Sequence, residues 1–299
     1  MDTIFAINVP KISLPAEELF HIGPVKLTNS NLMMLIVMTL LVLFFAVACR
    51  KLTTIPGRRQ ALVETAVDGL FNFTASTAGS KELARRIFPL IATLFIFILC
   101  ANYSGLLPGI GSIYVKKDVP VAATTVKSMS DAEKQKERIT QLPDGSFVAK
   151  DEHVPIFRSP NADLNMTLGM ALIVVVLVQV MGIRAHGIGG YTKELFTPVF
   201  LGPIHIIGEI SRVISLSFRL FGNIFGGEVL VTVMYALTFL VVPTIFLALE
   251  VFFGAIQALL FSVLTTIYIA LAVAGHGDAH EDAHGHESIG MEETGAHLG

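Results

Sequence analysis

Three stretches of this chain, Leu32 to Cys49, Ile87 to Ile110 and Leu164 to Ile183, contain no charged side chain at all. A helix of about 20 residues crosses a hydrocarbon core of about 30 Å, so each stretch is long enough for one crossing. Two further apolar runs are longer. Pro203 to Leu240 has 38 residues, about 57 Å as a helix, and Ile245 to Ala274 would reach about 45 Å. With "VVPT" at 241–244 as the turn between them, they predict a long tilted hairpin. A mean hydropathy of +0.68 and 15% charged residues fit a chain that shows most of its surface to lipid. The fold class predicted is an all-α polytopic membrane protein with about five transmembrane helices. The net charge of -3 supplies no basic excess for nucleic acid.

Charge position sets the orientation. Arg50, Lys51, Arg58 and Arg59 follow the first run, and Lys81, Arg85 and Arg86 precede the second. By the positive-inside rule this side is cytoplasmic, which puts the N-terminus outside and, after five crossings, the C-terminus in the cytoplasm. Between these clusters Leu62, Val63, Ala66, Val67, Leu70 and Phe71 share one helical face, as expected of an amphipathic helix on the inner interface or of a helix capping the bundle. The start "MDTIFAINVPKISLP" lacks a basic cluster and an apolar core, so no cleavable signal is expected and the first span serves for insertion. Cys49 and Cys100 lie in apolar runs and read as packing residues.

The predicted order is an outer N-terminal segment (1–30), span one (31–50), the interfacial helix (58–80), span two (85–110) and an outer loop (111–160). Span three (163–184), a long tilted span four (199–240), a tilted span five (244–275) and a His- and acid-rich cytoplasmic tail (276–299) complete it.

Near the midpoint of span four stands Arg219, inside "SLSFRLFGNIFGGE" (215–228). A lone arginine at that depth costs about 2.5–3.5 kcal/mol on insertion scales, so its presence points to function. His205, Arg212, Ser215, Arg219, Asn223 and Gly226 fall within about 80° of arc, one stripe of polar and small residues. Glu228 points to nearly the opposite side. Gly222, Gly226 and Gly227 leave the backbone bare for close approach of another helix. An arginine so presented, without a carboxylate alongside, awaits one from another chain. On span five Glu250, Gln257 and Tyr268 recur at near-whole turns, with Gly254 on the same face. Glu228 and Glu250 flank the hairpin turn, and two carboxylates close together in an apolar setting resist being charged together, which suits a proton relay.

"SLSFRLFGNIFGGE" resembles the hallmark segment of subunit a, the stator channel of the bacterial-type rotary (F-type) ATP synthase, and "PIHIIGEISRVIS" and "IQALLFSVLTTIYIALA" resemble its flanking helices. The likeness extends more weakly to "LPAEELFHIG", "LFIFILCANYSGLLPG" and "PNADLNMTLGMAL". The resemblance implies that Arg219 is the essential arginine, facing a ring of c subunits whose membrane carboxylates carry the ion between two offset half-channels. It implies an outer half-channel at Asn223, Glu228, Glu250, Gln257 and Tyr268. The inner half-channel is then expected at Glu209, Arg212, Ser215 and His205. It further implies the c-subunit ring, the b-subunit peripheral stalk and the rest of the complex as partners, the bacterial plasma (inner) membrane as location, and no cofactor, metal or catalysis of the chain's own. Many relatives pair a carboxylate with a histidine at the positions of Glu228 and Glu250, and this chain has two carboxylates. Asp163 either lines the outer entrance or caps the helix that follows it.

Two features fall outside the resemblance. The loop is expected to be a small outer cap with a helix-forming patch from Asp131 to Ile139 and a turn at Pro143-Asp144-Gly145. In the tail, His276, His280 and His284 would share a face if helical and grip a divalent metal, but glycine and aspartate favour a solvated, disordered segment. Two other functions compete. One is a secondary transporter binding an anionic substrate at Arg219, for which internal repeats would be expected and none is evident. The other is an intramembrane enzyme using Ser104 of "YSG", for which no histidine lies at comparable depth.

Overall fold

A computed structural model describes residues 16–22, 25–48, 50, 57–107, 110, 113–121, 126, 129, 134, 138–141, 146–196, 202–238 and 241–295, with only the backbone path over 275–295. Among the described residues six α-helices carry the fold: α1 (Asn29–Ala48), α2 (Arg58–Ala78), α3 (Lys81–Ser104), α4 (Leu164–Phe196), α5 (Gly202–Leu237) and α6 (Val241–Gly295). All but α2 include a segment long and apolar enough to cross a membrane. The chain is a multi-pass membrane protein.

Local chemistry sets the helix ends. The Thr28 hydroxyl accepts the Asn31 amide at 3.2 Å and starts α1. Ser80 does the same for α3 through Leu83, and Gly79 (φ 68°) closes α2 in the left-handed conformation that glycine adopts freely. Pro243 lies in the first turn of α6 rather than in a turn before it, correcting the expected hairpin turn at 241–244. Its missing N–H costs nothing there, since first-turn amides have no partner within a helix. In α4 the chain breaks at Gly187 (φ 72°, ψ 162°) and doubles back, so that the Tyr191 ring covers Gly182 and its hydroxyl donates to Gln179.

The bundle core is built where α3, α4, α5 and α6 meet, around Ile91, Ile98, Val174, Val178, Leu216, Leu220, Ala258, Phe261 and Ile269. Thr167 of α4 and Ser217 of α5 share a hydrogen bond of 3.0 Å inside it. Small polar side chains at a helix contact let backbones approach closely, which matters in lipid, where apolar burial gives little driving force. By contrast α1 is peripheral: Leu40, Val42, Leu43, Phe44 and Val47 are exposed along it. Phe71 of α2 packs edge-on against Phe88 of α3 at 5.3 Å, while Leu62, Val63 and Val67 remain exposed.

Among the described residues two small sheets stand outside the helices. An antiparallel hairpin, β1 (Glu18–Ile22) with β2 (Val25–Thr28), leads into α1. Between α3 and α4 the strands β3 (Tyr114–Val121), β4 (Ile139–Gln141) and β5 (Phe147–Pro155) form a sheet with β5 central. Ile139, expected to end a helical patch, is therefore in a strand; its β-branched side chain suits a pleated surface better than a helix. Most of that patch, and the turn at 143–145, lie outside the described residues. The helix α6 continues past Ala274 to Gly295, where disorder is expected from the sequence. No proline follows Pro243, and each glycine costs a helix only about 1 kcal/mol.

Candidate functional site

Arg219 lies on a face of α5 that no part of the described chain covers. Gly208, Ser211, Ser215, Arg219, Gly222 and Gly226 are all exposed, and at 100° per residue they fall within about 80° of arc. A Cβ added at Gly208, Gly222 or Gly226 would meet nothing within 4 Å. Among the described residues, no carboxylate lies within ion-pair distance of Arg219. This open stripe is rotated from the one expected. His205, Arg212 and Asn223 lie along its edge and are only half exposed: Arg212 and Asn223 turn toward α6, and the Asn223 amide donates to the Phe253 carbonyl at 3.3 Å.

Above Arg219, toward the sheet end of the bundle, polar groups from four segments converge. Glu228 faces away from Arg219, and Arg158, from the segment before α4, donates to its Oε2 at 3.4 Å. The Arg158 guanidinium also stands 5.6 Å from the centre of the Phe225 ring, one turn earlier on α5. Glu250 lies on Gly227: a Cβ there would come within 2.8 Å of its Oε1, so glycine is what lets this carboxylate approach α5. Alongside, buried Asn161 donates to Asn102 Oδ1 at 2.6 Å, and Asn102 donates to the Gly254 carbonyl at 2.9 Å. Gln257, one turn beyond Gly254, is 5% exposed, and its Nε2 has no hydrogen-bond partner among the described residues. Asp163 is buried and its Oδ1 accepts the Asn165 amide at 3.0 Å, an interaction that anchors the start of α4.

A second cluster lies near the opposite end of α5. Glu209 accepts from Arg212 Nη1 at 2.7 Å, and the guanidinium of Arg212 covers the Tyr268 ring at 4.2 Å. The other carboxylate oxygen of Glu209 is buried without a partner among the described residues. Tyr268 therefore groups with Arg212 and Glu209, not with Glu228 and Glu250. It is 18 residues beyond Glu250, about 27 Å along the helix, too far to join the upper cluster. Glu209 and Glu228 lie ten and nine residues on either side of Arg219, so the arginine is midway between the clusters.

The sequence alone did not single out Arg158, Asn102 or Asn161. For Arg158 a signal exists in "VPIFRSPNAD": it is the one charge between His153 and Asp163, set among apolar residues and prolines. The tail histidines 276, 280 and 284 lie outside the described side chains.

With this geometry in hand, comparison with known proteins decides the family. A family model described as ATP synthase A chain matches residues 31–270. A protein of Moorella thermoacetica named ATP synthase subunit a is 33% identical over 241 residues, covering 80% of this chain and 88% of its own length. The chain belongs to the ATP synthase subunit a family. ATP synthase subunit a 2 of a Bradyrhizobium species is 33% identical over 250 residues (82% of this chain and 88% of that protein). The chloroplastic subunit a of Stigeoclonium helveticum is 32% identical over 217 residues, with 72% of each chain covered. Membership makes the protein the stator proton-channel subunit of the membrane sector, working with the rest of the ATP synthase and catalysing nothing alone. It leaves the anion-binding secondary transporter without support.

Proposed function

We propose that Arg219 separates two offset half-channels and meets the membrane carboxylates of a c-subunit ring that turns against the bare face of α5. The observation that carries this reading is the exposed arginine on a stripe of glycine and serine with no anionic partner among the described residues. An arginine at membrane depth without a counter-ion is expensive, and a ring carboxylate arriving opposite it removes that cost. The same charge favours the ionised carboxylate, which therefore gives up its proton toward one half-channel and takes another on leaving the arginine by the other side. Because the arginine interrupts any direct path, protons cross only by riding the ring. A potential of 100 mV contributes about 2.3 kcal/mol per proton, so several must pass for each ATP.

Asn223, Glu228, Glu250 and Gln257 are assigned to the outer half-channel, and Glu209, Arg212, Ser215 and His205 to the inner one. The contact of Tyr268 with Arg212 favours assigning it to the inner group rather than the outer one. The anchoring bond of Asp163 favours the capping role, with its other oxygen left for the outer entrance. The b-subunit peripheral stalk and lipid would cover the exposed apolar side of α1. Orientation in a bacterial plasma membrane, N-terminus outside and C-terminus in the cytoplasm, follows from the basic residues around α2, to which Arg184 and Lys193 at the far end of α4 add. ATP-driven proton pumping in inverted vesicles carrying the whole complex tests the reading. Arg219→Ala should abolish pumping while the catalytic head still hydrolyses ATP; unchanged pumping would make the arginine structural.

A further inference from the structure

The sheet between α3 and α4 is tied at its base to two spans. Tyr114, the first residue of β3, pairs with Pro155, the last of β5. The Pro155 carbonyl accepts from the side chain of Asn29, the first residue of the span in α1, at 3.2 Å. Ile156 donates to the Ile113 carbonyl at 3.0 Å, and three residues later the Ser159 hydroxyl donates to the Ala101 carbonyl of α3 at 3.1 Å. Gly105, just past the end of α3, lets Ser159 lie there, since a Cβ on it would come within 2.8 Å of the Ser159 Cβ. Three residues reach at most about 11 Å, so Ile113 and Tyr114 stand close to the level at which α1 and α3 end. That level is the membrane boundary: about 20 helical residues counted from Ile87, the first after the basic cluster, end at Leu106. Bonds from the Leu106 amide to the Tyr103 carbonyl and from the Ile110 amide to the Leu107 carbonyl then turn the chain over there, instead of carrying it away.

At this level the protein shows an apolar surface. Leu107 is 56% exposed, Ile113 51%, Tyr114 52% and Val115 43%. Successive side chains of a strand point to opposite sides, so three in a row leave both sides uncovered by the described chain. A tyrosine flanked by aliphatic side chains suits a membrane interface, where its ring meets acyl chains and its hydroxyl meets water and headgroups.

We propose that the base of the sheet, Leu107 together with Ile113 to Val115, is an interfacial anchor that dips into the lipid leaflet at the sheet end of the bundle. Its partner is the boundary between phospholipid headgroups and acyl chains. Two spans fix the level of the patch, and at that level a membrane protein is surrounded by lipid wherever no other chain lies. Because Ile156 is bonded to Ile113, the anchor also steadies the segment that carries Asn161 into the bundle. The anchor rests on the membrane-spanning fold alone, so the outcome for Arg219→Ala leaves it untouched.

The test uses the whole complex in phospholipid vesicles, with Cys49→Ala and Cys100→Ala in this chain and one new cysteine labelled with the fluorophore NBD. Ile113→Cys and Leu107→Cys sample the patch, and the complex without a new cysteine supplies the background. Thr140→Cys is the contrast: Thr140 is exposed on β4 and pairs with Val148, seven residues along β5 from Pro155, about 23 Å from the base. With the patch seated about 5–10 Å into the boundary, both of its labels should emit to the blue of Thr140→Cys and be quenched at least about twofold more strongly by a lipid bearing a nitroxide high on its acyl chain. Aqueous iodide should quench in the reverse order. Iodide quenching of the patch equal to that at Thr140 places it in water, and protection from both quenchers places another chain over it; either result overturns the anchor. Lipid quenching as strong at Thr140 as at the patch overturns it too, because contact with the leaflet would then not be confined to the base.

Discussion

The two faces of α5 differ as sharply as any two regions of the molecule. On one, Leu216, Ser217, Leu220, Phe221 and Ile224 are buried against α4 and α6. On the other, from Gly208 to Gly226, a charge and a row of small residues are left exposed by the described chain. An arginine in lipid is cheapest turned inward to a carboxylate, but Glu228, nine residues on, faces the opposite side of the same helix. The chain gives Glu228 to Arg158 and leaves Arg219 outside. The buried face is completed by the protein's own side chains; the exposed face becomes complete only against a partner that brings a negative charge.

If that contrast is right, substitutions on the two faces should fail differently. The largest effect is expected for Gly222→Leu: nothing obstructs the new side chain within the subunit, so assembly should persist. Proton pumping should nevertheless fall by about 10²-fold, the cost of misplacing reacting groups by about 1 Å. Normal pumping by that variant would mean no partner approaches the stripe. Leu220→Ala, on the buried face, should instead destabilise the subunit by about 2–5 kcal/mol through the cavity it leaves, read as loss of folded protein on thermal or detergent challenge. Asn102→Ala should cost about 1–3 kcal/mol in the same assay, because the Asn161 amide and the Gly254 carbonyl would lose a buried partner. The smallest change in pumping is expected for Gly187→Ala. Its backbone (φ 72°, ψ 162°) lies in a region open essentially to glycine alone, so a side chain there costs about 1–3 kcal/mol, felt at the fold-back of α4 and not in either polar cluster.

The contrast also marks what the sequence makes legible. Long uncharged runs identify the spanning helices because length and apolarity are properties of the run itself. The midpoint arginine and the opposed direction of Glu228 follow from helical geometry alone. Which arc of α5 is open does not, since that depends on where α6 packs: Arg212 and Asn223, read into the arginine's stripe, turn toward Tyr268 and Phe253 instead. Tyr268 shares a helical face with Glu250, but sharing a face says nothing about depth, and 18 residues carry it to the opposite cluster. Arg158 was hidden for a related reason. It belongs to a loop of mixed charge, and its burial exists only because the chain returns from the sheet to the side of α5. The sheet was obscured by the mixed polar composition of residues 111–160, where pairing between distant strands outweighs local helix preference.

The most direct test of the open face is cross-linking in the assembled complex. Single cysteines at Ser215 and Gly222, on the exposed stripe, and at Leu216, on the buried face, would be oxidised against cysteines introduced along the lipid-exposed helix of the c subunit. The account predicts disulfide-linked products from Ser215→Cys and Gly222→Cys and none from Leu216→Cys. Products from Leu216→Cys alone, or from none of the three, would contradict it, because the partner of Arg219 would then lie somewhere other than on this face.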